Sequence, residues 1–147
     1  MITFRSMIVK ADKLPSVSEV IAAARTHGVD IRFEDGFDFR TNPRNRAGRV
    51  GVTLNGRVGE FGYAIDPLWL LIDKQELPSE AAKHGDSFVT IGVTTGFEPV
   101  AAATECYFAK EFDVHGWRAD KIVAPHHLAR DASAELQTTR EQNQPNA

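Results

Sequence analysis

Histidines, a lone cysteine and scattered carboxylates are the groups in this chain that can do chemistry, and their spacing decides whether they do. His27, His84, His115, His126 and His127 form no H-x-x-x-H or H-x-H pair. The neighbours His126 and His127 would point about 100° apart on a helix, a poor arrangement for chelating one metal ion. All five read as polar surface residues. Cys106 lies in an apolar stretch beside Glu105 and close to Glu111. A thiolate is disfavoured there, so an inert buried thiol is expected. One cysteine also leaves no internal disulfide and no Cys-rich zinc site. No serine stands in a G-x-S-x-G or S-x-x-K setting, and neither a Walker A nor a G-x-G-x-x-G phosphate loop occurs. Gly48, Gly51, Gly56, Gly59 and Gly62 instead suggest a bulge, sheet curvature or a close backbone approach. Thr94-Thr95-Gly96 leads from a strand into a helix N-terminus, which suits anions, but with no second glycine or lysine it reads as a simple β–α turn. No catalytic residue, metal ligand or cofactor is assigned.

The carboxylates are harder to set aside. Glu34, Asp35 and Asp38 cluster at an expected hairpin tip, and Glu60 follows the Asn55-Gly56 turn. Acid–base work needs burial to tune a carboxylate, and a hairpin tip is exposed. Exposure suits a different use, an acidic surface that docks a basic protein. Trp69 and Trp117 are the candidate aromatic anchors of such a surface, weighed against a role in the core. Opposed to the acids is the segment from Arg40 to Arg57, which holds Arg40, Arg44, Arg46, Arg49 and Arg57 and no acid. It could contact phosphates, with Phe37, Phe39 and Phe61 nearby. The phenylalanines alternate with polar residues and are better explained as core. With a net charge of −3 and no RNA-binding signature, nucleic acid is disfavoured as a partner.

Elements must position these groups. The 147 residues, with 42% hydrophobic and 25% charged, suit one domain over 1–136 and a polar, disordered tail over 137–147. A strand is expected over Ile2 to Val9. Ser16 with Glu19 forms a capping-box start for a helix that Gly28 ends. Val29 to Glu34 alternates as a strand, Asp35-Gly36 turns, and Phe37 to Arg40 returns as its hairpin partner. Val50 to Leu54 and Val58 to Tyr63 form a second hairpin through Asn55-Gly56. The second of these strands is compatible with either an edge or a central place. Leu68 to Ile72 is too short for periodicity to choose between strand and helix. It is also far short of the ~20 residues of a membrane span. A short helix over Ser79 to Lys83, a strand over Ser87 to Thr94, a helix over Glu98 to Phe112, a short strand at Trp117 and a helix from Pro125 to Leu136 follow. Hairpins with segregated helices predict an α+β fold, a two-layer sandwich of antiparallel sheet covered on one face by two to three helices. No leader segment is visible, and a cytoplasmic location is expected.

Leu14-Pro15-Ser16, Glu19, Ala22-Ala23-Ala24, His27-Gly28-Val29-Asp30, Asp38-Phe39-Arg40, Val52-Thr53-Leu54-Asn55-Gly56 and Glu60-Phe61-Gly62-Tyr63 set out a layout. This layout resembles that of small uncharacterised proteins of Gram-negative bacteria and, more loosely, immunity proteins encoded beside secreted antibacterial toxins. The resemblance implies a small cytoplasmic α+β protein that neutralises a toxin by tight binding and has no active site of its own. It transfers no role to any single residue. Three functions are carried forward. The first is an immunity-type inhibitor, binding a basic toxin or effector through Glu34, Asp35, Asp38, Glu60, Trp69 and Trp117. The second is a ligand-binding or weakly catalytic domain with a pocket between sheet and helices. The third is a nucleic-acid accessory protein using the arginine segment. The oligomeric state is left open.

Overall fold

The computed structural model describes residues 2–40 and 48–143. Strand β1 (Ile2–Val9) leads into helix α1 (Val17–Arg25) and strands β2 (Ile31–Phe33), β3 (Gly48–Leu54) and β4 (Arg57–Pro67). Helix α2 (Leu68–Asp73), a 3-10 turn over Ser79–Lys83, strand β5 (Ser87–Thr94) and helix α3 (Glu98–Phe112) come next. Strands β6 (His115–Arg118) and β7 (Lys121–Val123) precede the last helix, α4 (Pro125–Asn143). The strands form one seven-stranded sheet in the order β2-β3-β4-β5-β1-β6-β7, antiparallel at every pairing.

Local chemistry explains most of these boundaries. Ser16 accepts a hydrogen bond from the Glu19 N–H at 3.3 Å and starts α1, and Gly28 turns the chain beyond it at φ +75°. Asn55 and Gly56 both adopt positive φ, which the tight β3–β4 turn requires. β4 lies between β3 and β5, so it is a central strand. The Leu68 run is helical, with Pro67 in the extended position just before its first turn.

Two expectations are corrected. Phe37 to Arg40 is not a returning strand: among the described residues β2 pairs with β3 alone, and its other side stays a sheet edge. The chain turns through a Phe37 N–H to Glu34 carbonyl bond and drives Phe37 and Phe39 into the core. The Tyr63 hydroxyl, donating to the Phe39 carbonyl at 2.9 Å, fixes that path. The helix that begins at Pro125 does not stop at Leu136. It continues to Asn143, with Thr138 and Thr139 donating back to Ala134 and Glu135. No helix breaker occurs until Pro145.

The sheet has two unlike faces. On one, Met7, Val52, Phe61, Tyr63, Val89 and Ile91 pack under α1, α3 and α4. Phe33, Phe37, Phe39, Phe61 and Tyr63 meet mostly edge to face at 5.0 to 5.9 Å, and Phe108 of α3 joins them at 5.8 Å from Phe39. Among the described residues, the opposite face has cover at one end alone, where Leu68, Leu71, Ile72, Leu77 and Ala81 pack on Ile8 and Phe88. Among the described residues, no helix is long and apolar enough to cross a membrane.

Candidate functional site

Register decides which residues share the open face. Ile8 and Phe88 pair and pack beneath α2, so Ile2, Phe4 and Ser6 lie on the same side of β1. Their neighbours there are Thr94, Gly92 and Thr90 on β5, and Gly62 and Ala64 on β4. Gly62 and Gly92 stand opposite one another, which leaves a strip of sheet with no side chains. Phe4 lies over that strip, since a Cβ on Gly92 would come within 2.9 Å of its ring. The result is a trough of about 180 Å3 lined by Ile2, Phe4, Arg49, Glu60, Ala64 and Thr90. Phe4 is 68% exposed and Ile2 36%, both large apolar side chains left to water.

The rim of this trough is charged. Arg49 and Glu60 form an ion pair at 3.6 Å across β3 and β4. The Glu60 N–H donates to the Thr94 hydroxyl at 3.0 Å. Glu34 stands two strands away in the same row, flanking Gly51, and its carboxylate accepts the Gly51 N–H at 3.1 Å.

The six candidate binding residues are therefore divided. Glu34 and Glu60 share the open face. Asp35 is exposed in the turn after β2. Asp38 belongs to the other side: it caps the Arg40 N–H at 3.1 Å. Burial, with Asp38 adding its charge, pushes the Tyr63 hydroxyl far above its ordinary value and keeps it a donor. Trp69 is 67% exposed on α2. Trp117 pairs with Ser6 and packs, half-buried, against the cluster beneath α2.

The remaining polar groups serve the framework. Arg5 points to the helix side, where its guanidinium holds Glu135 of α4 at 2.6 and 2.8 Å and Glu105 of α3 at 3.2 Å. Burial pushes the Glu105 carboxyl up, and Arg5 and Arg118 pull it back. Cys106 is buried, and burial likewise raises its thiol. Of the arginine segment, Arg40 bonds the Leu14 carbonyl and pairs with Glu19, and Arg49 pairs with Glu60. Arg57 stacks on Phe97 at 5.4 Å. Arg44 and Arg46 lie outside the described residues. Among the described residues, no group of three or more potential metal ligands converges.

Phe4 and the glycine strip were not singled out from the sequence as binding residues, and Arg49 entered only as part of the arginine segment. β1 carries apolar residues on both sides, Ile2, Phe4 and Ile8 on one and Met7 and Val9 on the other. Alternation alone could not reveal which side a helix layer would cover. The sheet–helix interface, where a ligand pocket was one expectation, is occupied between β2–β4 and the helices by the aromatic cluster, while a cavity of about 250 Å3 lies between β1, β6, α3 and α4, lined by Ser6, Glu105, Trp117, Asp131 and Glu135. No family model, curated protein or solved structure matches the chain.

Proposed function

We propose that the chain is a binding protein that holds a protein partner on the open face of its sheet and has no catalytic role of its own. One observation carries this reading: Phe4 and Ile2 stand exposed beside a side-chain-free hollow, on a part of the sheet face that no described helix covers. A knob next to a hollow is the geometry in which a few desolvated contacts supply most of the affinity. Arg49, Glu60 and Glu34 rim that hollow and can steer a charged partner. Trp69, at the covered end of the same face, extends the apolar surface. The biological form we infer is an immunity-type inhibitor acting in the bacterial cytoplasm, with a basic toxin or effector as its partner. The acids on the binding face support that charge preference.

A second reading has its own observation. The trough is small and mostly apolar, which suits a small apolar molecule as well as a side chain from a protein. Hydroxyl-radical footprinting of the tagged protein, alone and with its co-purified partner, separates the two. Protection of Phe4, Ile2 and Trp69 together in a stoichiometric complex supports a protein on this face. Protection of Phe4 and Ile2 by a small molecule, with Trp69 unchanged, supports the second reading.

A further inference from the structure

At the far end of β1, a notch of about 250 Å3 is lined by Lys10, Lys13, Lys83, His84 and His115, with Asp113 as the acidic residue in the lining. Three separate segments supply these groups. Lys10 and Lys13 come from the turn after β1, Lys83 and His84 from the end of the 3-10 turn, and Asp113 and His115 from the junction of α3 and β6. Half of the chain's lysines meet here in a protein whose net charge is −3. None of the ion pairs among the described residues involves them. Asp86, the nearby acid of the next turn, is already engaged: its carboxylate accepts the Ala11 N–H at 2.9 Å and the Ser87 hydroxyl at 2.8 Å. Asp12 lies in the turn between the two lysines, and Glu80 at the start of the 3-10 turn.

The histidines add a second observation. Their rings stack at 3.7 Å, and His115 Nδ1 is buried with no hydrogen-bond partner. So close a neighbouring ring disfavours a proton on His115, and a nearby negative charge would offset that cost. Burial first, then His84, hold His115 below its ordinary value, against the pull of Asp113.

We propose that this notch is an oxyanion site for a doubly charged tetrahedral anion of the phosphate or sulfate class, bound between the lysines and beside the stacked histidine pair. The anion would offset the gathered positive charge, and its oxygens would accept charge-assisted hydrogen bonds from the lysines. Binding would take up protons and tighten as pH falls.

Sulfate is the decisive probe, because its charge does not change over the range in which histidine titrates. Isothermal titration with sodium sulfate at about pH 6 and about pH 8, ionic strength held with chloride, should show saturable binding. Binding should be tighter at the lower pH, with proton uptake seen as a buffer-dependent heat. Lys13→Gln with Lys83→Gln should weaken it about tenfold or more, while the anion-free melting temperature stays at that of the wild type. His115→Asn should remove most of the pH dependence. Inorganic phosphate and glycerol phosphate, run in parallel, distinguish a free anion from a phosphate monoester. Absence of saturable sulfate binding near pH 6, or equal affinity in the double lysine variant, would overturn the proposal.

Discussion

The two faces of the sheet follow the same alternation and meet opposite fates. The covered face is filled by interlocking rings and by the Arg5–Glu105–Glu135 cluster that ties β1 to α3 and α4. The open face has glycines at its centre and leaves Phe4 to water. A residue type therefore says little by itself. Phenylalanine at position 61 holds the fold together, and phenylalanine at position 4 is left exposed, where we place the proposed binding surface. What separates them is the helix layer, which selects one face as core.

The sharpest way to break this comparison is to substitute matched residues. Phe61→Ala should destabilise by about 3–5 kcal/mol, because the surrounding rings cannot collapse into the space. Arg5→Ala should cost a similar ~3–5 kcal/mol, since it leaves Glu105 buried without its counter-charge. Phe4→Ala should change stability by no more than about 0.5 kcal/mol. Urea denaturation of the three variants measures all of these. A large loss for Phe4→Ala would show that the open face carries structure.

The glycines of β4 give a smaller version of the same contrast. A Cβ on Gly59, on the covered side, would stand 2.7 Å from the Phe97 ring. A Cβ on Gly62, on the open side, would meet nothing closer than 3.7 Å. Gly59→Ala should cost about 1–3 kcal/mol through overpacking, and Gly62→Ala should stay within about 0.5 kcal/mol of wild type. Gly62→Ala also narrows the trough, so it should weaken partner binding while leaving the melt intact. Thermal unfolding beside binding of the co-purified partner checks both parts.

The smallest effect expected is on pH. His115 has a depressed value in the folded protein, so the folded state binds this proton less readily than the unfolded chain. Its contribution is complete above the ordinary value of 6.5 and is lost as pH falls through the folded value. In anion-free buffer the melting temperature should drop over that window, and His115→Asn should flatten the drop.

Much of the fold was legible because its signals are local. Ser16 with Glu19, Asn55-Gly56, and the spacing of Val100, Thr104 and Phe108 each act within a turn or two. They predicted α1, the β3–β4 hairpin and α3. Phe37 to Arg40 alternates like a strand, and what overrode that pattern was distant: the core that takes up both Phe37 and Phe39, and the Tyr63 hydroxyl. The site was legible in part. Glu34, Glu60 and Trp69 could be picked out as charged or aromatic. Their neighbours on the open face could not, because register brings Phe4, Gly92 and Gly62 together from three strands. The lysine–histidine notch draws on three distant segments and leaves no mark at any sequence spacing.

The central claim is that the open face binds a protein, and a paired affinity purification from the source cell's lysate tests it most directly. Wild type, Phe4→Asp and a helix-side control, Ala134→Lys, are tagged and run side by side, with all three verified as folded. One stoichiometric protein should be retained by wild type and by Ala134→Lys and lost from Phe4→Asp. Equal retention of that protein by Phe4→Asp would contradict it.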